Sequence, residues 1–374
     1  MKTRSAVLWE RGRPPPYAES RPLALEELDL DEPGPTEVLV KVEAAGLCHS
    51  DLSVIDGSRP RPTPMVLGHE AAGVVEAAGR EVPDLQEGDR VIFSFTPMCG
   101  RCIYCLSGRP ALCENGARSN GGGTLLSGGV RFRTASRQRV LHHLGVSAFS
   151  EHTVVSSASC VKIDSQISPV KAALFGCALM TGVGAVINTA QARPGQPAVV
   201  FGLGGVGLSA VMGAALVGCN PIVAVDRHDS KLELARGVGA THTVRAGEAA
   251  MAEIREATGG GAEYAIESVG SAEVLAQAYA ATRRGGKTLA VGLPHPERML
   301  QLQAVSIVAE ERQLLGSYMG SAVPTRDIPM LIRLYEAGKL PVDSLFTGSI
   351  SLEDVNGAFD ALSEGRVVRQ VITF

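Results

Sequence analysis

Apolar and polar positions divide the 374-residue chain into stretches of different rhythm. Over the first 45 residues, short apolar runs at 5–8, 23–28 and 37–43 alternate with turn formers such as Pro14-Pro15-Pro16 and Glu32-Pro33-Gly34-Pro35. That pattern predicts strands and turns and no helix of length. Further strand signals stand at 73–76, at 90–92 after the turn Glu87-Gly88-Asp89, and at 149–155 and 159–163. Between them, 114–150 is rich in Gly, Ser and Arg, with Gly121-Gly122-Gly123 and Gly128-Gly129, and reads as a long surface loop. A helical stretch is expected from about Pro169 through Gly182. From 198 to about 317 the rhythm changes to strand–helix alternation, with helices at 208–217, 231–238, 249–257 and 272–281 and strands at 264–267 and 288–291. Alternation of this kind predicts a doubly wound parallel sheet. The tail predicts helices at 327–337 and 352–363 and a last strand at 369–374. No internal repeat beyond the sheet's own units and no low-complexity segment is present.

The sharpest local signal is at 198–226. Val199, Val200 and Phe201 form a buried-strand pattern ending in Gly202-x-Gly204-x-x-Gly207, with Gly205 inside it. A helix pattern follows, and a second apolar strand, 222–225, stops on Asp226. This is what a dinucleotide site requires. Gly202 allows a tight turn, Gly204 lets the backbone approach a pyrophosphate, and Gly207 lets helix and strand pack closely. Free N–H groups at the helix start face the phosphates. Asp226 stands where a carboxylate receives the ribose hydroxyls, and its charge repels a 2′-phosphate, so the expected cofactor is NAD rather than NADP. Arg227 and Lys231 are nearby cations that could meet a phosphate, and their plainer reading is a solvated loop and helix start.

Length suits two domains, and a composition 45% hydrophobic and 20% charged is that of a globular protein with ample core. A net charge of −4 gives no footprint for nucleic acid or an anionic membrane. No run of about eighteen apolar residues predicts a membrane span, and the first residues lack a signal peptide's apolar segment, so a cytoplasmic protein is expected.

Four of the eight cysteines lie in Cys99-x2-Cys102-x2-Cys105-x7-Cys113. Thiolates at these spacings close a tetrahedral site on Zn²⁺ with every position filled by protein, which predicts a structural metal. Among the rest, Cys48 stands in Cys-His-Ser-Asp, Cys177 in Gly-Cys, and His69 in Gly-His-Glu. Two thiolates and an imidazole would leave zinc one open position, as catalysis needs. Their wide separation in sequence leaves buried core residues as an equal reading of spacing alone.

Gly68-His69-Glu70, the cysteine quartet, Gly176-Cys177 and Gly202–Gly207 come in the order and spacing of a known family. From about residue 5 to Phe374 the chain resembles the zinc-dependent medium-chain alcohol dehydrogenases. Within them it is most similar to the long-looped branch of liver-type enzymes and glutathione-dependent formaldehyde dehydrogenase. The resemblance implies a GroES-like β-barrel catalytic domain, 1–178 with 319–374 returning to it, and an inserted Rossmann domain, 179–318. It implies a catalytic zinc on Cys48, His69 and Cys177, with Glu70 behind the metal and Asp51 orienting His69. Ser50 would take the proton of zinc-bound alcohol, and the alkoxide would pass its hydride to NAD. His49 and Arg369 would meet the pyrophosphate, Thr181 and Val206 the nicotinamide, and Phe95 and Leu293 the substrate. A homodimer is expected, the 114–137 loop favouring it over a tetramer.

Two positions depart from the family pattern. Ser53 stands where many relatives have a histidine that ends the proton path. Ala117, followed by Arg118, stands where the formaldehyde branch has an arginine for the carboxylate of a glutathione adduct. The leading expectation is therefore an oxidoreductase acting on primary or secondary alcohols and their aldehydes or ketones. An S-(hydroxymethyl)glutathione or other thiol-adduct dehydrogenase is the alternative. A zinc-stabilised NAD-binding protein without turnover comes third, since such relatives commonly lose ligands that this chain keeps.

Overall fold

The computed structural model describes residues 1–374 and divides into two units. The first comprises 1–177, 323–332 and 346–374. Its opening strand Lys2–Leu8 pairs antiparallel with Leu23–Leu30, from Lys2 opposite Asp29 to Leu8 opposite Leu23. With Phe132–Arg133, Arg139–His142 and Met65–Val66 they close a five-stranded barrel. Closure removes the exposed strand edge, and Val7, Leu28, Leu30, Val66, Phe132 and Val140 form a buried cluster.

The segment 114–150 is not the surface loop its glycines suggested. Glu114–Gly122 is a helix, begun by Cys113 Sγ accepting from Gly116 N and ended at Gly123 in the left-handed conformation. Two barrel strands follow, and Leu125 and Phe132 are fully buried. Its apolar anchors are too sparse to make a periodic signal. A buried carboxylate also ties the segment down. Glu37 accepts from Ser127 Oγ at 2.6 Å, Arg131 Nε at 2.7 Å and Gly34 N at 2.8 Å.

A seven-stranded sheet completes this unit. Its order is Cys160–Lys162, Arg90–Phe93, Glu70–Ala78, Glu37–Gly46, Arg369–Thr373, Phe346–Ile350, with His152–Ser156 also on Glu37–Gly46. Gly46 lies opposite both Glu70 and Val371. The end of one central strand thus meets the beginning of one neighbour and the middle of the other. Cys48 and the helix His49–Ile55 follow directly from Gly46.

The second unit comprises 178–322 and 333–345. Its parallel sheet runs His242–Arg245, Ile222–Asp226, Ala198–Phe201, Ala262–Glu267, Thr282–Ala290, Gln313–Gly316. In chain order this is 3-2-1-4-5-6, the Rossmann arrangement. Val199, Phe201, Val223, Val225 and Ile254 belong to one buried cluster. Gly202 has φ 86°, and a Cβ on Gly207 would lie 1.8 Å from Gly202 O, so the turn and the close helix–strand contact both require glycine. The expected boundary at 319 differs in detail, because 319–322 and 333–345 lie with this unit. The reason is packing: Val342 and Leu345 are buried, and Val342–Leu345 contacts the helix Gly205–Val217. No single helix is long and apolar enough to cross a membrane.

Candidate active site

The four-cysteine cluster is built by local backbone geometry. The sulfurs of Cys99, Cys102, Cys105 and Cys113 all lie within 4.8 Å of one another. Cys102 precedes the short helix Ile103–Leu106, and Cys113 precedes Glu114–Gly122. Backbone N–H groups point at sulfur: Cys99 N and Gly116 N donate to Cys113 Sγ, and Cys102 N to Cys99 Sγ, each at 3.3 Å. Burial disfavours a Cys99 thiolate, but N–H donors from Arg101 and Cys102 and the Asn115 side chain outweigh it and bring the thiol down to about 6. Four converging sulfurs with N–H groups stabilising anionic sulfur fit a zinc ion with closed coordination.

The second cluster sits where the strand ends meet. Ligand atoms of Cys48, His69, Glu70 and Cys177 lie within 4.8 Å of one another, and none of the four residues is more than 6% exposed. Asp51, in the first turn after Cys48, faces His69: Asp51 Oδ1 is 3.1 Å from His69 Nδ1 and accepts from Gly68 N at 3.1 Å. Burial opposes ionisation of Asp51, yet His69 and His143 hold it well below the usual carboxylate range. Cys177 donates toward Cys48, and with Arg369 and His69 nearby the Cys48 thiol is held low while Cys177 is pushed up. Burial raises Glu70 to about 7 against the pull of Arg369. Two sulfurs, an imidazole and an oriented carboxylate fit a zinc ion with one open position.

Arg369, expected at a pyrophosphate, is 3% exposed and turned inward: Nε donates to Glu70 Oε1 at 3.2 Å, Nη1 to Val368 O at 3.1 Å and Nη2 to Cys48 Sγ at 3.6 Å. His49 is exposed and Ser50 half-buried in the helix's first turn, and Ser53 Oγ donates to His49 O at 2.8 Å. Phe95 stands edge-on to His69, ring centres 5.6 Å apart. In the second unit Asp226 ends its strand as expected, and its carboxylate also accepts from Leu203 N at 2.7 Å and His228 N at 2.9 Å, bracing the glycine turn. Thr181 and Val206 lie on helices in backbone contact, since a Cβ on Gly182 would stand 2.3 Å from Val206 O. Gly204 precedes the helix and Gly205 opens it, with open space where a Gly204 Cβ would go. Arg227 is exposed with Nε on His228 Nε2, whereas Lys231, read as a solvated helix start, is only 6% exposed. Leu293 is 44% exposed, and Ala117 and Arg118 are both exposed on Glu114–Gly122.

Comparison with known proteins agrees with this geometry. Residues 34–165 match the alcohol dehydrogenase GroES-like domain and 205–337 the zinc-binding dehydrogenase domain. An NDMA-dependent alcohol dehydrogenase of Amycolatopsis methanolica is 39% identical, covering 100% of this chain and 99% of its own. An S-(hydroxymethyl)glutathione dehydrogenase of Synechocystis is 35% identical, covering 100% of both chains. The chain belongs to the zinc-dependent medium-chain alcohol dehydrogenases. A crystal structure of benzyl alcohol dehydrogenase from Acinetobacter calcoaceticus superposes with TM-score 0.92 at 34% identity, over 100% of this chain and 99% of that one. This alcohol dehydrogenase accordingly uses zinc and NAD and acts on small alcohols and carbonyl compounds.

Two features of the alcohol dehydrogenase site escaped the sequence reading. One is the inward pairing of Arg369 with Glu70. The other is His143, 2% exposed, with Nδ1 3.0 Å from Asp51 Oδ1. The only available signal was the doublet His142-His143, which stood inside the presumed loop. His142 is structural: its Nε2 accepts from Arg131 N at 3.1 Å, and burial lowers it to about 3.

The two clusters predict separable losses. Cys102→Ser should remove one zinc per chain and lower the unfolding temperature sharply, because structural zinc contributes folding free energy directly. Cys177→Ser should remove the other, leave a folded protein that binds NADH, and abolish turnover. Zinc analysis, thermal unfolding and NADH fluorescence check both; one zinc in the freshly purified, unsubstituted protein counts against the assignment.

Proposed function

We propose that this alcohol dehydrogenase interconverts free, fairly apolar primary or secondary alcohols with aldehydes or ketones, on a catalytic zinc held by Cys48, His69 and Cys177. The carrying observation is the gathering of two thiols and one imidazole within 4.8 Å, with a buried carboxylate on the imidazole. When bound, zinc supplies a Lewis acid for the alcohol oxygen and NAD⁺ a hydride acceptor. Asp51 accepts the Nδ1 proton of His69, so the opposite ring nitrogen keeps the lone pair a metal requires. Ser50 Oγ takes up the alcohol proton and passes it on through its own hydroxyl. Phe95, edge-on to the His69 ring and 7% exposed, excludes water there. Arg369 neutralises Glu70, which keeps that carboxylate from adding an uncompensated charge behind the metal.

Cofactor binding is assigned to the Rossmann unit. Gly202, Gly204, Gly205 and Gly207 carry the pyrophosphate turn, Asp226 accepts from the adenosine ribose, and Thr181 and Val206 line the nicotinamide. Repulsion between Asp226 and a 2′-phosphate favours NAD over NADP.

Free alcohols are favoured over glutathione adducts by the chemistry of Glu114–Gly122. An adduct brings carboxylates that cost several kcal/mol to desolvate unpaired, and Ala117 has no donor to offset that. Arg118 is exposed beside it and reads as a solvated charge.

We further propose a homodimer formed through the Rossmann unit. Gln313–Gly316 ends the sheet with one side unpaired, and Met299, Val305, Ile307 and Val308 expose 81%, 68%, 47% and 79% of their surface. An open edge beside an apolar patch favours burial against a second copy.

Initial rates of NADH formation should be higher in kcat/KM for aliphatic and benzylic alcohols than for S-hydroxymethylglutathione, and glutathione should barely stimulate a formaldehyde assay. A large stimulation abolished by Arg118→Ala would promote the adduct reading. Asp226→Asn keeps an acceptor for the glycine turn and removes the charge, so the NADP⁺/NAD⁺ ratio of kcat/KM should rise at least about tenfold, the equivalent of roughly 1.4 kcal/mol; an unsubstituted enzyme that already prefers NADP⁺ refutes this role. Light scattering should give twice the chain mass, shifting to the single-chain mass in Val308→Glu, while an unsubstituted monomer or tetramer contradicts the dimer.

A further inference from the structure

Asp51 is fully buried, and its Oδ2 has no hydrogen-bond partner. The carboxylate is therefore held entirely at Oδ1. Gly68 N donates to that atom at 3.1 Å and His69 Nδ1 hydrogen-bonds it at 3.1 Å, while His143 Nδ1, itself buried without a well-aligned hydrogen bond, is in close contact with it at 3.0 Å. The His143 ring also stands edge-on to His69, with centres 5.6 Å apart and planes at 88°. His143 thus touches both members of the pair that orients the imidazole.

The backbone bearing His143 is committed to this placement. Leu144 and Ser147 hold left-handed φ values of 50° and 54°, with Gly145 at 66° between them. Side chains with a Cβ rarely adopt that region, and such strain persists only where surrounding contacts enforce it. Here His143 N donates to Ser147 Oγ at 2.9 Å, Ser147 Oγ donates to Val66 O at 2.9 Å, and Val146 N donates to His143 O at 3.0 Å. The turn fastens His143 to the strand Met65–Val66, three residues before His69.

We infer that His143 is a positioning residue, which fixes the Asp51 carboxylate and through it the His69 imidazole. A carboxylate held at one oxygen pivots about it, and the His143 ring, 3.0 Å from that oxygen and packed edge-on against His69, restricts the pivot. Rotation of Asp51 would turn the His69 ring away from the two thiols. The inference rests on reading His69 as a zinc ligand, and it adds a residue that acts on the metal without touching it.

The test compares His143→Phe, which keeps a ring against His69, with His143→Asn, which puts an amide N–H near the position of Nδ1. The main readout is zinc release to a coloured chelator, followed in the full-length protein, where the four-cysteine site provides an internal control of folding. In His143→Phe one zinc of the two should leave roughly tenfold faster, the other at the unsubstituted rate. The kcat should fall by a similar factor with KM for NAD⁺ unchanged, and His143→Asn should recover most of both. In an Asp51→Asn background, His143→Phe should add nothing further. Release of both zincs at unsubstituted rates in His143→Phe overturns the inference. So does His143→Asn as impaired as His143→Phe, or a His143→Phe effect undiminished in the Asp51→Asn background. A single zinc in the unsubstituted protein would instead overturn the metal-site reading on which the inference rests.

Discussion

Six ionisable side chains buried in one unit constrain the rest of the structure: Cys48, Asp51, His69, Glu70, Cys177 and Arg369, none more than 6% exposed. A buried charge without a partner costs several kcal/mol. Asp51 is offset by His69, and Glu70 by Arg369. The thiols remain, and they are unequal, since Cys48 loses its proton readily with Cys177 and Arg369 as donors while Cys177 holds its own. Making both sulfurs anionic requires further positive charge at the same point. A divalent ion that accepts sulfur and imidazole provides it, which is why this donor set suits zinc.

That charge arrangement explains the architecture of the first unit. Cys48 and Arg369 are in contact across 321 residues of sequence. Only a sheet carrying the last strand beside an early one can bring them together, and Arg369–Thr373 pairs with Glu37–Gly46 to do so. The nucleotide-binding sheet is an almost continuous stretch between those two ends. It is stabilised by its own buried cluster and bears no residue of the metal clusters.

Legibility followed the range of the physical signal. The glycine turn, its flanking strands and the strand end at Asp226 are local and were readable, because a tight turn and a close helix–strand contact each demand glycine at one spacing. The cysteine quartet was readable for the same reason. The other cluster was legible only by resemblance, because its members come from separate elements and their spacing carries no geometric information. Segment 114–150 was misread because composition signals conformational freedom while packing depends on a few anchors such as Leu125 and Phe132. The inward pairing of Arg369 was not legible, because nothing near it in sequence reveals Glu70, its partner 299 residues away. His143 was hidden likewise, since its partner is brought to it by tertiary structure.

The proposed proton path through Ser50 runs along the helix His49–Ile55. Exposure rises backward along a single turn, from Asp51 at 0% through half-buried Ser50 to exposed His49. Ser53, standing where a terminal base occurs in many relatives, donates its proton to His49 O one turn back. A hydroxyl that donates to a carbonyl can still accept a proton only by releasing the one it holds, so Ser53 can pass a proton but cannot store one. With a hydroxyl's affinity for protons so low near neutral pH, the position cannot act as a base in its own right. On the proposed path through Ser50, proton release would therefore end beyond Ser53, and its efficiency would depend on how readily the half-buried first turn admits water rather than on a titrating side chain at that position.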